Sequence, residues 1–143
     1  MILNITRIDQ TLPMPSYQTP GAVAFDIYAR EETIIPSHTI GYIPANLIVC
    51  VPEGYVLFLT SRSSTPKKGL LFPHGFGVID QDYCGPNDEL KMQVYNFTEV
   101  EVKVGRGERI GQAIIMPVVK CELKETAIAQ TAASRGGFGT TGS

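Results

Sequence analysis

Short apolar runs at a regular spacing constrain the fold of this chain more than any other sequence feature. Between residues 33 and 59, runs rich in β-branched and aromatic residues alternate with turn segments that begin at prolines. The runs are residues 33–35, 39–43, 47–51 and 55–59. Short strands separated by turns at this spacing are typical of β-sandwiches and barrels. The sequence therefore predicts an all-β fold.

Three other stretches refine this prediction. Residues 1–8 alternate apolar and polar side chains, which predicts a strand at a sheet edge or one exchanged with a neighbouring chain. Val78 and Ile79 are expected to end a strand, and residues 90–96 to form the return strand of a β-hairpin. Residues 61–69 break the strand pattern with serines, a proline and a glycine, which predicts one short helical turn capped by a serine.

Composition limits the classes of protein to which the chain belongs. Its 143 residues, 43% of them hydrophobic, suit one compact domain. A net charge of -2 gives no general basic field, so binding of long nucleic acid is not expected. Three widely spaced cysteines without a CxxC pair indicate reduced thiols. No signal peptide and no apolar run of the ~20 residues that a membrane span needs is visible, so we expect a cytoplasmic protein without a membrane partner.

Two carboxylates, Asp80 and Asp82, lie with Tyr83 at the predicted bend of the hairpin. A carboxylate held at a strand end is able to accept a proton from water, and a phenol ring offers a flat face to a sugar or base. The alternative is that aspartate and glycine are simply ordinary turn residues. This stretch alone leaves both interpretations open.

The helical turn at residues 61–69 has the composition of an anion site. Arg62, Ser63 and Ser64 would combine an arginine fork and hydroxyls with the free N–H groups of a helix start, and Lys67 and Lys68 follow. Such a site suits phosphate oxygens. The alternative is a solvated polar loop with a helix cap.

Two polar residues interrupt apolar stretches. Asp26 lies between Phe25 and Ile27. It either faces water or pairs with an arginine, because an isolated buried carboxylate is costly. Gln112 lies within the apolar run 110–119, where it either satisfies core backbone groups or reaches a polar ligand.

Beyond Lys120 the sequence loses its periodicity and becomes rich in small residues. We expect a β domain over residues 1–120 and a C-terminal arm over residues 121–143 that is mobile in the free protein. The end of the arm combines glycines and hydroxyls with Arg135 and Phe138. This composition is typical of a segment that folds over a phosphate and stacks its ring on a base.

Five separated segments, in the right order, resemble the five motifs of the trimeric dUTP pyrophosphatases, or dUTPases. The segments are residues 21–29, 61–64, 77–85, 107–112 and 135–142. The resemblance implies a jelly-roll-like β-barrel or sandwich with a flexible C-terminal arm. It also implies a homotrimer with active sites shared between subunits, and the hydrolysis of dUTP to dUMP and pyrophosphate with Mg²⁺.

The resemblance also implies residue roles by position. Asp80 would be the general base that activates water for attack on the α-phosphorus, and Asp26 would act on Mg²⁺ through bound water. The phosphate oxygens would be held by Arg62, Ser63, Ser64, Gln112, Arg135, Gly139, Thr140 and Thr141. The base and sugar would contact His74, Val78, Ile79, Tyr83, Lys91 and Phe138. The arm of another subunit would close over the site and exclude water other than the nucleophile.

Two other functions compete with this one. The dCTP deaminases share the fold and an Arg-Ser-Ser segment, but they need a glutamate and an arginine where this chain has Gln93 and Lys67. An amide cannot shuttle a proton, so deamination is disfavoured. A non-catalytic, regulatory nucleotide binder is the second rival, because jelly rolls carry many functions. The presence of Asp80 together with a complete arm argues against it.

Overall fold

The computed structural model describes residues 1–127 and 136–137. This part of the chain contains eleven β-strands and one turn of 3-10 helix, Thr65–Lys68. The strands are β1 (Asn4–Arg7), β2 (Phe25–Tyr28), β3 (Thr33–Ile35), β4 (Ile40–Pro44), β5 (Leu47–Cys50), β6 (Tyr55–Ser61), β7 (Leu70–Leu71), β8 (Phe76–Ile79), β9 (Lys91–Asn96), β10 (Val102–Val104) and β11 (Arg109–Pro117). The predicted all-β fold is confirmed. Within the described ranges, no helix is long and apolar enough to cross a membrane.

The strands form four antiparallel sheets. The largest has the order β2-β11-β6-β8 and the second the order β4-β9-β7, while β1 pairs with β5 and β10 with β3. Most neighbours in these sheets are far apart in sequence, so the chain crosses repeatedly between sheets, as in Greek-key and jelly-roll folds. One core cluster joins the two larger sheets, with Leu57 and Leu59 from β6 and Met92 and Val94 from β9.

The predicted hairpin between residues 78 and 96 is wrong. Strand β8 pairs with β6 in the largest sheet, whereas β9 pairs with β4 and β7 in the second. The strands are joined by residues 80–90, the connecting segment, which contains turns closed by Tyr83 N–H to the Asp80 carbonyl and Asp88 N–H to the Gly85 carbonyl. Because a strand pattern specifies which face is buried but not which strand lies alongside, the pairing was not visible in the sequence.

The N-terminal strand lies at a sheet edge, which is one of the two arrangements predicted from the sequence. Residues Asn4–Arg7 pair with β5 of the same chain. The end of this segment is fixed by Asp9, whose N–H donates to Asn46 Oδ1 at 2.6 Å and whose carboxylate accepts bonds from Thr11 and Arg106. The hydrogen bonds from Thr11, and then that from Arg106, lower the pKa of Asp9 to about 2. The N-terminus is thereby tied to the body of the domain.

Candidate active site

Asp26 lies at the centre of an ion-pair cluster at one end of the largest sheet. Its Oδ1 is 3.1 Å from Nε of Arg62, and its Oδ2 accepts a bond from Nη1 of Arg109 at 3.0 Å. Asp26 is only 6% exposed. Because a buried carboxylate is stable only when it is paired and hydrogen-bonded, the two arginines explain how the sequence tolerates an acid between Phe25 and Ile27.

The register of the sheet brings Gln112 to the same end. Gln112 lies between Asp26 on β2 and Thr60 on β6, and its Nε2 donates to the carbonyl of Ser61 at 3.2 Å. Arg62 follows directly and also donates, through Nη1, to the carbonyl of Arg109 at 3.3 Å. Asp26, Arg62, Arg109 and Gln112 therefore form one cluster, the arginine group.

The predicted helical turn follows Arg62, but its cap differs from the expectation. Ser64 occupies the N-cap position without a side-chain capping bond. Instead, Thr65 Oγ1 accepts from the Arg62 N–H at 3.1 Å and donates to the Ile110 carbonyl at 3.0 Å. The predicted position of the serine at the N-cap, and of Gly69 at the C-cap, is confirmed, but the side-chain bond that closes the turn comes from the buried Thr65. The side chains of Ser63 and Ser64 stay exposed and available to a ligand.

An open cavity of about 400 Å³ lies beside this turn. Its lining is mostly cationic and polar: Arg62, Ser64, Thr65, Lys67, Lys68, Glu108, Arg109 and Ile110. Glu108 pairs with Lys68, and Asp26 pairs with both arginines. The lining retains a net positive charge after these pairings, which suits an anionic ligand.

Asp80 lies at the opposite end of the sheet, directly after β8. It is exposed and lines an open cavity of about 550 Å³. The turn that follows is anchored by Gln81, whose Nε2 donates to the Tyr55 carbonyl at 2.9 Å and whose Oε1 accepts from Lys120 Nζ at 3.1 Å. Tyr83 donates through its hydroxyl to the Glu89 carbonyl at 3.3 Å. Asp80 and Tyr83, both predicted as site residues, thus lie in one hydrogen-bonded turn.

Among the described residues, strand β8 pairs only with β6 and is therefore the edge strand of its sheet. An edge strand leaves backbone N–H and C=O groups unpaired on its outer side, which is what base recognition by the backbone around Val78 and Ile79 requires. His74 lies near this strand, since the position that a Cβ would take on Gly77 is 3.7 Å from His74 Nε2. Lys91 is exposed at the start of β9, two residues after the carbonyl that holds Tyr83. Val78, Ile79, Asp80 and Tyr83 form the second cluster, the Asp80 group.

The two groups do not meet within one chain. Ile79 lies opposite Leu57, so Asp80 lies beside Val56 at the start of β6, whereas Arg62 follows the end of the same strand. At about 3.3 Å per residue, the levels of Val56 and Ser61 differ by roughly 17 Å. A single phosphate chain cannot contact Asp80 and the arginine group of the same subunit at once.

Several predicted site residues lie outside the described residues, and one relevant residue was missed. Those outside are Arg135, Phe138, Gly139, Thr140 and Thr141. Arg109 was not proposed as a site residue, although it pairs with Asp26 and lines the cationic cavity. Its place in the fourth motif-like segment, three residues before Gln112, was the available signal.

The donor set at the arginine group fits Mg²⁺ held by a substrate rather than by a protein cage. Among the described residues, no group of three or more His, Cys, Asp or Glu side chains is arranged to hold a metal ion. Magnesium in nucleotide sites is usually bound by one or two carboxylates together with water and substrate phosphates. Asp26 supplies a single carboxylate directly behind Arg62 and Arg109, the two arginines that line the cationic cavity, which is compatible with that pattern.

Comparisons with known proteins agree on one family. The dUTPase family model matches residues 10–142. The deoxyuridine 5'-triphosphate nucleotidohydrolase of Helicobacter pylori (strain J99) is 32% identical over 144 residues, covering 99% of this chain and 97% of that protein. The dUTPase of Streptococcus mutans is 31% identical, with a TM-score of 0.76 over 82% of this chain and 98% of that one. The dUTPase of Staphylococcus bacteriophage 80alpha, solved with dUPNHPP, is 26% identical, with a TM-score of 0.86 over 99% of both chains.

These similarities extend over nearly the whole sequence and do not depend on the five motifs alone. The shared fold confirms the predicted jelly-roll-like architecture. The match of the family model across residues 10–142 and the identity of 32% to the H. pylori protein confirm the resemblance noted in the sequence. The chain belongs to the dUTPase family.

Proposed function

We propose that this chain hydrolyses dUTP to dUMP and pyrophosphate, in active sites where the Asp80 group of one subunit meets the arginine group of another. One observation carries this proposal. The acid and the phosphate-binding side chains lie at opposite ends of β6, so a complete site requires two copies of the chain. The homotrimer implied by the family provides such a junction three times.

The Asp80 group would bind the nucleoside and activate water. Asp80 is the proton acceptor, because its carboxylate is exposed at the rim of an open cavity and a hydrogen-bonded turn fixes its position. Backbone groups of Val78 and Ile79 on the edge strand would pair with the uracil edge. The Tyr83 ring, anchored through its hydroxyl, would pack beneath the deoxyribose and leave no room for a 2′-hydroxyl. His74 and Lys91 would border the same nucleotide.

The arginine group would bind the triphosphate. Arg62 and Gln112, with the exposed hydroxyls of Ser63 and Ser64, would hold phosphate oxygens and stabilise the negative charge that develops as pyrophosphate leaves. Arg109 would assist from the same cavity. The arm of a further subunit would cover the site, with Phe138 on the base and Arg135, Gly139, Thr140 and Thr141 on the terminal phosphates.

An apolar surface supports the association of chains. Phe58 and Phe76 contact each other edge to face at 4.9 Å on the outer side of the largest sheet, beside Ile114, Val78 and Met116. Phe76, Val78 and Met116 are 52%, 56% and 44% exposed in the single chain. Large exposed apolar side chains that cluster on one face are typical of a surface that another chain covers.

Mixed trimers test the shared site. Chains carrying Asp80→Asn and chains carrying Arg62→Lys are co-expressed with different tags, and trimers containing both are purified through both tags. In any such trimer, one of the three junctions joins an intact Asp80 to an intact Arg62, so we expect about one third of wild-type turnover from two poorly active parents.

The control for this experiment pairs two defects of the same group. Trimers mixed from Arg62→Lys and Gln112→Ala chains contain no junction with an intact arginine group, so they are expected to stay poorly active. The absence of recovery in the first mixture, with assembly verified by its mass in solution, would contradict the shared site.

Asp26 is expected to affect the requirement for magnesium. When bound, Mg²⁺ would neutralise phosphate charge, and Asp26 would hold it through water. The substitution Asp26→Asn should raise the Mg²⁺ concentration for half-maximal activity by about tenfold, because removing outer-shell carboxylates typically weakens metal affinity ~10–100-fold. An unchanged magnesium requirement with a raised KM for dUTP would contradict this role. It would show that Asp26 orients Arg62 and Arg109 without acting on the metal. Thermal unfolding checks that the variant is folded.

The position of the Gln93 side chain gives no support to deamination. Its Nε2 donates to the Tyr42 hydroxyl at 2.9 Å, on the outer face of the second sheet. Incubation with dUTP, dCTP and dTTP, followed by assays for pyrophosphate and ammonia, separates hydrolysis, deamination and binding without turnover.

The three cysteines are free thiols, which agrees with the reducing cytoplasm that we propose as the location of this protein.

A further inference from the structure

Glu89 is a buried acid that the proposed reaction does not use. Among the described residues only two carboxylates are buried, Asp26 and Glu89, and Glu89 is 9% exposed. Arg30 binds it through two parallel hydrogen bonds, with Nε donating to Oε1 at 2.8 Å and Nη2 donating to Oε2 at 3.1 Å. The N–H of Asn46 also donates to Oε1, at 2.9 Å. These three donors hold the side chain in one position, because a buried charge that loses its partner is costly.

The backbone that follows Glu89 is fixed by strand β5. The N–H of Leu90 donates to the carbonyl of Leu47, the first residue of β5, at 2.8 Å, and the Leu90 carbonyl accepts from the Ala45 N–H at 2.9 Å. The Glu89 carbonyl and the Leu90 N–H belong to one planar trans peptide unit, so they point in opposite directions. The Arg30 pair on one side and β5 on the other therefore set the direction of the Glu89 carbonyl.

This carbonyl holds the ring of Tyr83. It accepts a hydrogen bond from the Tyr83 hydroxyl at 3.3 Å, while the Tyr83 N–H donates to the Asp80 carbonyl at 3.4 Å. Tyr83 is 39% exposed, so packing restrains its ring only in part. The bond at the hydroxyl therefore determines where the far end of the ring lies.

We propose that Arg30 and Glu89 are positioning residues for Tyr83, and that through its ring they set the preference of the site for deoxyribose over ribose. This inference rests on the proposed function, in which the ring packs beneath the deoxyribose. The ring excludes a 2′-hydroxyl only while it stays close to the sugar. A shift of the Glu89 carbonyl would therefore favour UTP relative to dUTP, although neither Arg30 nor Glu89 needs to touch the nucleotide.

The substitution Arg30→Lys tests the pair while keeping the positive charge. Lysine lacks the planar fork that contacts both oxygens of Glu89. We expect the ratio of kcat/KM for dUTP to kcat/KM for UTP to fall at least about tenfold, because misplacement by ~1 Å can cost ~10²-fold. A purely structural role would lower the melting temperature, or both kcat/KM values together, and leave the ratio unchanged. That result would overturn the proposal.

The matched controls are Glu31→Gln and Asn96→Ala. Glu31 contacts the same arginine, at 3.2 Å from Nη1, but its side chain is 55% exposed. Asn96 is buried at the opposite end of β9, where its Nδ2 donates to three backbone carbonyls, so its loss destabilises the strand that follows Glu89. Both variants should keep the wild-type ratio. An equal fall in Asn96→Ala would attribute the effect to stability alone and overturn the proposal.

The substitution Tyr83→Phe isolates the hydroxyl. It removes the bond to the Glu89 carbonyl and keeps the ring, so the ratio should fall to about the level of Arg30→Lys. Once the hydroxyl is absent, adding Arg30→Lys should change the ratio by less than about twofold, since coupled residues give non-additive effects. Full additivity of the two substitutions would contradict a coupling between the pair and the ring.

Hydrogen exchange measures the same coupling without nucleotide. In Arg30→Lys, peptides covering residues 81–88 should exchange faster than in the wild-type protein and in Glu31→Gln, because the end of the connecting segment is less firmly held. Unchanged exchange would show that the pair does not fix this segment. Faster exchange in a chain whose wild type fails to hydrolyse dUTP would instead support the coupling and count against the proposed function.

Discussion

Replacing Asp80 by asparagine is expected to lower kcat for dUTP hydrolysis by about 10²–10⁴-fold, the usual contribution of a positioned general base. Asparagine has nearly the same size and keeps the backbone carbonyl that accepts the Tyr83 N–H at 3.4 Å, so the turn should be preserved. Its amide, however, cannot take a proton from water. Affinity for dUPNHPP, measured by calorimetry, should stay close to that of the unmodified protein, while pyrophosphate release nearly stops.

The matched control is Asp82→Asn. Asp82 is an exposed carboxylate in the same turn and lines the same cavity, so it experiences a similar surface environment. Turnover should change little in this variant if Asp80 is the base. Loss of turnover in Asp82→Asn, with normal turnover in Asp80→Asn, would contradict this prediction and identify Asp82 as the proton acceptor.

Replacing Arg62 by lysine is expected to lower kcat/KM for dUTP by about 10²–10³-fold, which is typical for the loss of one preorganised donor in a transition state. The guanidinium of Arg62 contacts Asp26 through Nε and the Arg109 carbonyl through Nη1. These contacts fix its plane and direct the remaining N–H groups. A lysine ammonium has no such fork, so it is unable to keep the Asp26 contact and present further donors in a fixed direction.

Arg106→Lys provides the comparison for this substitution. Arg106 also pairs with an aspartate, Asp9, but it lies outside both residue groups of the site. Its replacement should leave kcat/KM unchanged. Steady-state kinetics with thermal unfolding distinguishes an effect on catalysis from an effect on stability. If Arg62→Lys retains normal kinetics, the arginine group does not hold the phosphates in the way proposed.

The sequence was sufficient to predict strands but not their partners. The strand predicted over residues 90–96 is present as Lys91–Asn96, and its alternating side chains bury one face, with Met92, Val94 and Asn96. The same alternation fits any neighbouring strand, so proximity along the chain led to an incorrect pairing with β8. The connecting segment, which crosses to the other sheet, has turn residues that resemble those of a hairpin.

The chemistry of the site was likewise easier to predict than its arrangement. Residue types and motif order indicated an acid, a phenol and an arginine with serines, and these residues occupy exposed or cavity-lining positions. The separation of Asp80 from Arg62 follows from the register between β6 and β8, which no local pattern encodes. For Asp26 the sequence predicted either contact with water or pairing with an arginine, but it did not identify the arginine. A sequence does not show which cations lie within 3–4 Å of a buried carboxylate.

The position of the two residue groups at opposite ends of β6 has a genetic consequence. In the proposed trimer each polypeptide donates its acid to one catalytic centre and its cations to another. A single polypeptide damaged at both ends would therefore disable two of the three centres of its trimer. Such an allele, expressed beside a normal one, should act as a dominant inhibitor and reduce cellular activity by more than its share of the protein.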